Sequence, residues 1–497
     1  MKCRMQAMLH RMNGSALSKN NCPALGAKGE SGMEWRDKRL AVVGLGVSNI
    51  PLIQYLINQG AKVTVCDRQE PVELESRLAQ IAGLPVSFKL GAGYLDDLVG
   101  YDTVFLSPGV PKDLPQIKEL REQGVTFSSE MQVFFELCLA PIVGITGSSG
   151  KTTTTTLIGE IMAQVEGRET FVGGNIGNSL LSEIRSIRPR DLVVLELSSF
   201  QLELLPYSPR YALITNITPN HLDVHKSMEN YIDAKRHVYS FQSPNDSVVL
   251  NYDNATTRAF AKECPGKVYF FSRLVEPERG VFLRNGMITV RDIGFAQGRE
   301  EALCSIGAVR LLGVHNWENV LAAVAVSALC GATPAAIVQT IATFEGVPHR
   351  LELVEEINGV RYYNDSIATS PARAIAGIRA FNDPIVLIAG GYDKQLLFDS
   401  LAKTIIDSEV KAVVLAGVTA DKIEEAILEE QGSSSGPEIY RAESFEGAVL
   451  KAAELGKPGD VVLMSPACAS YDMFRNFEER GARYREIVKG LAEHRRL

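Results

Sequence analysis

Eight cysteines are scattered along the chain without a C-x-x-C pair or any zinc-type spacing, which excludes a cysteine-built metal centre and predicts no disulfides. No apolar run approaches the roughly 20 residues that a helix needs to cross a bilayer, so no membrane insertion is expected. Positive charge is in deficit: 51 Lys and Arg stand against 59 Asp and Glu, a formal net charge of −8. A basic surface over the whole molecule is thereby excluded, and with it nucleic acid as a main partner. A glycine is missing as well. Gly44-Leu45-Gly46-Val47-Ser48-Asn49 follows an apolar run in the manner of a dinucleotide fingerprint but lacks its third glycine, which argues against an NAD-dependent oxidoreductase.

What is present is 45% apolar and 22% charged residues over 497 positions, enough for about three domains with separate cores. Residues 1–36 stand apart as a basic tail without hydrophobic period, in which Glu30 is the only acid before Met33. The expectation is an extended start rather than a transit peptide, and a cytoplasmic, monomeric protein. From Arg39 short apolar runs alternate with helix-period stretches. The runs are Leu40–Val43, Lys62–Cys66 and Thr103–Leu106, then Pro141–Ile145, Asp191–Leu195 and Ala212–Thr215, then Val386–Ala389, Ala412–Leu415 and Val461–Met464. This alternation predicts an α/β fold of parallel, doubly wound sheets with ligands at the carboxyl ends of the strands. The expected domains are a Rossmann-like one over 37–129, a phosphate-loop one over 130–346 and a second Rossmann-like one over 347–497.

The sharpest local signal is Gly144-Ile145-Thr146-Gly147-Ser148-Ser149-Gly150-Lys151-Thr152, a G-x-x-x-x-G-K-T loop between an apolar strand and a threonine-rich helix. Glycines let backbone N–H groups converge on phosphates, the helix N-terminus adds partial positive charge, Lys151 offsets developing negative charge, and the Thr152 hydroxyl suits Mg²⁺. A glycine turn with a chance lysine is the bland alternative, and the flanking strand and helix speak against it. Glu196, at the end of the 191–195 run, sits where a carboxylate can join the metal. His221 lies in another polar cluster beyond the 212–215 run.

Further motifs accompany the loop: G-G-N-I-G at Gly173–Gly177, E-L-S-S-F-Q-L-E at Glu196–Glu203, N-H-L-D at Asn220–Asp223 and Y-x-x-A-K ending at Lys235. Downstream are H-N-x-x-N at His315–Asn319, H-R at His349–Arg350, N-D-S at Asn364–Ser366, G-G-x-D-K at Gly390–Lys394 and S-P-A-C-A-S-x-D-x-F-x-N-F-E-x-R-G at Ser465–Gly481. Together they resemble the Mur ligase superfamily over nearly everything beyond the tail. The resemblance implies an ATP-dependent ligase that adds D-glutamate to UDP-N-acetylmuramoyl-L-alanine through an acyl phosphate.

It further implies that Gly147, Ser148, Ser149, Gly150, Lys151, Thr152 and Thr153 hold ATP, with Asn316, Asn319, Arg350 and Asp365 around its other parts. Two Mg²⁺ ions are implied, with Thr152, Glu196, His221 and a carbamylated Lys235 as ligands. Leu45, Val47, Ser48, Asp67, Arg68 and Gly109 would line the uridine-diphosphate edge, Asn175 and His221 the reacting end of the same substrate, and Thr369, Lys394, Ser470 and Phe477 the D-glutamate pocket. Catalytic roles would fall to Lys151, Glu196, His221 and Lys235.

One departure matters. Where the family often has D-S-K-A-T-N, this chain has Asp365-Ser366-Ile367-Ala368-Thr369-Ser370, so isoleucine replaces a lysine near the phosphates. Arg373 is the candidate to take over its contact. A catalytically dead nucleotide-binding module is the alternative that Ile367 suggests, and a sibling ligase for another amino acid is the alternative that Lys394 and Ser465–Phe477 disfavour.

Overall fold

A computed structural model describes residues 35–494 except 177–178, 312, 395 and 433–435. The expected tail lies outside the described residues up to position 34. Trp35, counted with that tail, is buried edge-on against Phe105 with ring centroids 5.6 Å apart.

Three sheets follow one another along the chain. The first comprises β1 (Arg39–Val43), β2 (Lys62–Asp67), β3 (Val86–Leu90), β4 (Thr103–Leu106) and β5 (Phe127–Ser128), all parallel, in the order β3-β2-β1-β4-β5. The chain runs outward from β1 to β3 and then crosses back to β4, so the crevice beyond the ends of β1 and β4 is a topological switch point, where open α/β sheets bind ligands.

The second sheet contains β6 (Ile142–Thr146), β7 (Thr170–Gly174), β8 (Leu192–Glu196), β9 (Tyr211–Ile214), β10 (Ser247–Asn251), β11 (Lys267–Ser272), β12 (Gly280–Arg284), β13 (Met287–Arg291) and β14 (Glu300–Ser305). Its order is β14-β13-β12-β11-β10-β9-β6-β8-β7. The third contains β15 (Glu352–Ile357), β16 (Val360–Asn364), β17 (Ile385–Ala389), β18 (Val410–Leu415), β19 (Glu438–Arg441) and β20 (Val461–Met464), in the order β15-β16-β20-β17-β18-β19.

Each sheet has an apolar cluster on both faces, which is why β6, β8, β17 and β20 read as unbroken apolar runs rather than as alternation. The second and third sheets are not wholly parallel, contrary to the sequence expectation. β12, β13 and β14 form antiparallel pairs, and β15 pairs antiparallel with β16. Both extensions are hairpins closed by Asn-Gly turns. Asn285 and Gly286 have φ of 49° and 75°, and Asn358 and Gly359 of 51° and 77°, the positive pair that a two-residue turn of this kind requires.

No described helix is long and apolar enough to cross a membrane.

Candidate active site

The phosphate loop leaves β6 and enters the helix Lys151–Ala163. Its glycines are there by necessity. Gly147 has φ +148° and a Cβ on it would lie 1.9 Å from the Thr215 hydroxyl, while Gly150 has φ +79° and its Cβ would lie 2.1 Å from Asn319 Oδ1. The loop is fastened from the end of β9: the Asn216 carbonyl accepts from the Ser148 N–H (2.9 Å), Asn216 Oδ1 accepts from the Ser149 N–H (3.0 Å), and the Thr215 hydroxyl donates to the Ser149 carbonyl (2.6 Å). Asn316 and Asn319 are joined through a 2.8 Å amide contact, so the first turns of the helix Val314–Leu329 lie against this loop.

Under the loop lies Glu196, 3% exposed at the end of β8. Its Oε2 accepts from the Thr152 hydroxyl at 2.8 Å and its Oε1 from the Asn175 amide at 3.0 Å. Asn175 therefore aims its amide at Glu196, and Gly177 of the same motif lies outside the described residues. A hydroxyl and a buried carboxylate side by side at adjoining strand ends make an oxygen donor set that fits Mg²⁺.

Lys235, on the helix Met228–Ser240, is 2% exposed and donates from Nζ to the Gly147 carbonyl at 2.9 Å and the Thr146 hydroxyl at 3.3 Å. Burial, and then the neighbouring Lys151 charge, hold its amine well below the ordinary lysine range, against the pull of Glu196. Among the described residues no three His, Cys, Asp or Glu side chains gather into a metal-ligand set. His221 is exposed, has φ +53° and packs edge-on against Phe200 at 5.4 Å.

The third domain brings positive charge to this cleft. Arg350 and Arg373 both act on Lys151, whose amine burial pushes down and Glu196 partly restores. Arg350 also lies near Glu196 and Asp365. It is flanked by two residues in the left-handed region, His349 at φ 64° and Leu351 at φ 44°, strain that for a leucine persists only where the surroundings enforce it. Asp365, 4% exposed, is pushed by burial up to about 7, moderated by the Ser465 hydroxyl, the Leu351 N–H, Arg350 and Arg373.

The four residues expected around D-glutamate lie on the same domain. Ser470 is 2% exposed, and its hydroxyl is a buried polar group without a hydrogen-bond partner among the described residues. Unpaired buried hydroxyls are costly, so one held at a loop suits a ligand oxygen. The Phe477 carbonyl accepts from the Ser366 hydroxyl (2.8 Å), Thr369 N–H donates to the Ile367 carbonyl (2.8 Å), and Lys394 is exposed with its amine 5.3 Å from the Tyr471 ring centre.

At the first domain's switch point, Leu45, Val47, Ser48 and Gly109 occupy the loops after β1 and β4, Val47 and Gly109 exposed. Asp67 accepts from backbone at both oxygens, from the Leu45 N–H (2.7 Å) and the Gln69 N–H (2.9 Å), and so shapes the glycine loop from below. Arg68 is exposed. The arginine on this loop is Arg77, which donates to the Leu45 carbonyl at 3.2 Å. Nothing in its sequence surroundings distinguishes it from a solvated helix residue. Lys112, also unforeseen, joins the first two domains by donating to Glu203 Oε2 (2.6 Å) and the Phe200 carbonyl (3.0 Å).

Three family models match in register with these sheets: a Mur ligase MurD-like N-terminal domain at 38–129, a Mur ligase middle domain at 145–327 and a Mur ligase glutamate ligase domain at 349–468. The chain belongs to the Mur ligase family.

Among relatives of this Mur ligase, UDP-N-acetylmuramoylalanine--D-glutamate ligase of Symbiobacterium thermophilum is 48% identical over 457 residues, covering 92% of this chain and 98% of that protein. The protein of the same name from Acetivibrio thermocellus is 48% identical over 460 residues, with 92% and 97% covered. Among solved structures, UDP-N-acetylmuramate-alanine ligase MurC of Thermotoga maritima superposes with a TM-score of 0.55 at 20% identity, over 91% of this chain and 99% of that one. MurF ligase from Thermotoga maritima in complex with ADP gives 0.51 at 17% identity, over 93% and 96%. At such identities the likeness is one of fold.

Proposed function

We propose that this Mur ligase couples ATP cleavage to the joining of D-glutamate to UDP-N-acetylmuramoyl-L-alanine, acting as a cytoplasmic monomer in peptidoglycan precursor synthesis. The observation that carries the reading is the meeting of Lys151 on the phosphate loop with Arg350 and Arg373 of the third domain, beside Glu196 and Thr152. The names of relatives nearly half identical over almost their whole length support the choice of substrates.

In this reading the terminal carboxylate of the UDP-linked substrate attacks the γ-phosphorus and ADP leaves, giving an acyl phosphate. The D-glutamate amine then attacks the acyl carbon, phosphate departs, and the amine proton is lost to the medium. Lys151 and Arg350 offset the charge that moves onto the phosphates. Asn316, Asn319 and Asp365 hold the nucleoside end, and the switch-point loops of the first domain, with Leu45, Val47, Ser48 and Gly109, hold the uridine diphosphate. The Ser470 hydroxyl, with Thr369, Lys394 and Phe477, takes the D-glutamate carboxylates and aims its amine.

Thr152, Glu196, His221 and Lys235, the last as its carbamate, would hold Mg²⁺, which supplies charge neutralisation when bound. Burial lowers the Lys235 amine and so favours the neutral form that a reaction with carbon dioxide requires.

The test is phosphate release from ATP with UDP-N-acetylmuramoyl-L-alanine, offering D-glutamate, L-glutamate, L-alanine, L-lysine and diaminopimelate in parallel. Release with D-glutamate alone is expected. Release with another amino acid overturns the pocket assignment, and no release with any overturns the ligase reading.

A further inference from the structure

We propose that Lys112 is a positioning residue for the UDP-linked substrate: it docks the first domain's switch-point loop onto the segment that supports His221, and so sets the reach from that loop to the phosphate loop. The inference deepens the function proposed above and rests on it for the identity of the substrate.

On the first domain, Lys112 stands in the loop between β4 and the helix Pro115–Glu122. This loop and the glycine turn after β1 are packed into one body. A Cβ on Gly44 would lie 2.7 Å from Ser107 Cβ and 3.5 Å from Val110 Cγ2, and the Ser107 N–H donates to the Val43 carbonyl at 2.9 Å. Pro108 and Pro111 restrict the backbone that leads to Lys112.

On the second domain, Lys112 Nζ reaches the short helix Ser199–Leu202, donating to the Phe200 carbonyl at 3.0 Å and to Glu203 Oε2 at 2.6 Å. The Lys112 side chain is 11% exposed, and burial lowers its amine against the pull of Glu203. A cation so enclosed depends on both acceptors, unlike a solvated surface pair, and fixes geometry through charge-assisted bonds. Leu204, next in the chain, packs against an apolar cluster of the first domain, as do Val110 and Leu114 of the Lys112 loop. Polar and apolar contacts at neighbouring positions thus set one register between loop and helix.

From there, contacts run on to the phosphate loop. The Phe200 ring lies flat on His225 at 4.8 Å and edge-on to His221 at 5.4 Å. His225 meets Tyr231 edge-on at 5.3 Å, and the Tyr231 hydroxyl is 3.0 Å from the Ser148 hydroxyl. Lys112 therefore stands at the joint between the crevice assigned to uridine diphosphate and the loop assigned to ATP. The substrate spans that joint, and an error of about 1 Å in such a reach costs about a hundredfold in rate. A separate contact, Leu181 in the apolar cluster of β1 and the helix Asn49–Asn58, keeps the two domains together when Lys112 is replaced.

The experiment combines steady-state phosphate release with calorimetric binding of UDP and of magnesium ADP to the full chain, for wild type, Lys112→Met, Glu203→Gln and Lys112→Arg. Lys112→Met is expected to lower kcat/KM for the UDP-linked substrate about tenfold to a hundredfold while leaving Kd for UDP and for ADP within about twofold, because each half of the site is intact and only their relation changes. Glu203→Gln is expected to give the same split from the other domain. Lys112→Arg, whose fork can serve both acceptors, is expected to keep most of the activity. A loss of UDP affinity that matches the loss of kcat/KM would make Lys112 a ligand contact and overturn the positioning role. Unchanged kinetics, whatever the thermal midpoint, would reduce the pair to a structural one and overturn it as well. Either result leaves the ligase reading intact, whereas a wild-type protein that releases no phosphate with any amino acid would overturn both together.

Discussion

Arg480 holds Ser366 twice, donating from Nε to its hydroxyl at 3.0 Å and from Nη2 to its carbonyl at 2.9 Å. The same guanidinium, 1% exposed, also donates to the carbonyls of Cys468 (3.0 Å) and Ala469 (3.3 Å). One side chain thus joins the loop that carries Asp365, assigned to the nucleotide, to the loop that carries Ser470, assigned to the amino acid.

Replacing Arg480 with lysine keeps the charge and loses the fork. Several buried carbonyl bonds go unmade, so the third domain should lose about 3 kcal/mol of stability in chemical denaturation. The KM values for ATP and for D-glutamate should rise together. A rise in one alone would show that the two loops are not held as a unit.

Glu130 predicts a pH effect away from the site. It is 6% exposed, accepts from the Ser179 hydroxyl, and burial raises it from 4.5 to about 7. The folded protein therefore keeps a proton that the unfolded chain gives up, and the stability this confers is complete below 4.5 and lost as pH rises to about 7. Its position in the first turn of the helix Glu130–Leu137 opposes the shift, so the loss should be roughly 2–3 kcal/mol. Glu130→Gln should flatten the fall of the thermal midpoint across that interval. An unaltered slope would place the titration elsewhere.

Lys235→Ala should abolish phosphate release, and short carboxylic acids should restore part of it by standing in for the carbamate. Depleting bicarbonate should lower wild-type activity in parallel. A fully active alanine variant would remove Lys235 from the chemistry.

Thr152→Val deletes the hydroxyl that meets Glu196 and leaves the helix intact. The Mg²⁺ concentration for half-maximal activity should rise about tenfold, with the KM for D-glutamate unchanged. An unchanged magnesium requirement would show that the hydroxyl is not a ligand.

The phosphate loop was legible because Gly147 and Gly150 are dictated by backbone geometry and close approach, which local sequence records. Parallel strands buried on both faces were legible as apolar runs. The antiparallel additions were not, although Asn285-Gly286 and Asn358-Gly359 are hairpin signals in plain sight. The strands around them carry Arg284, Arg291, Glu300, Glu355 and Glu356 and look like solvated loop unless the turn is given precedence. Asp67 was legible as a strand-end carboxylate, but its bonds to the Leu45 and Gln69 N–H groups, which shape the glycine loop, were not. Arg77, Lys112 and Arg480 owe their positions to partners 32, 91 and 114 residues away, beyond the reach of local pattern.

The charges that would meet ATP are divided between two separately cored bodies, Lys151 and Glu196 on one, Arg350, Arg373 and Asp365 on the other. A molecule with the third domain swung away would retain the nucleotide cradle and forfeit both arginines at once. With the roles proposed above, such a division would make the site a coincidence detector: the nucleotide could be held in reserve, and idle hydrolysis would be suppressed until the third body completes the charge arrangement.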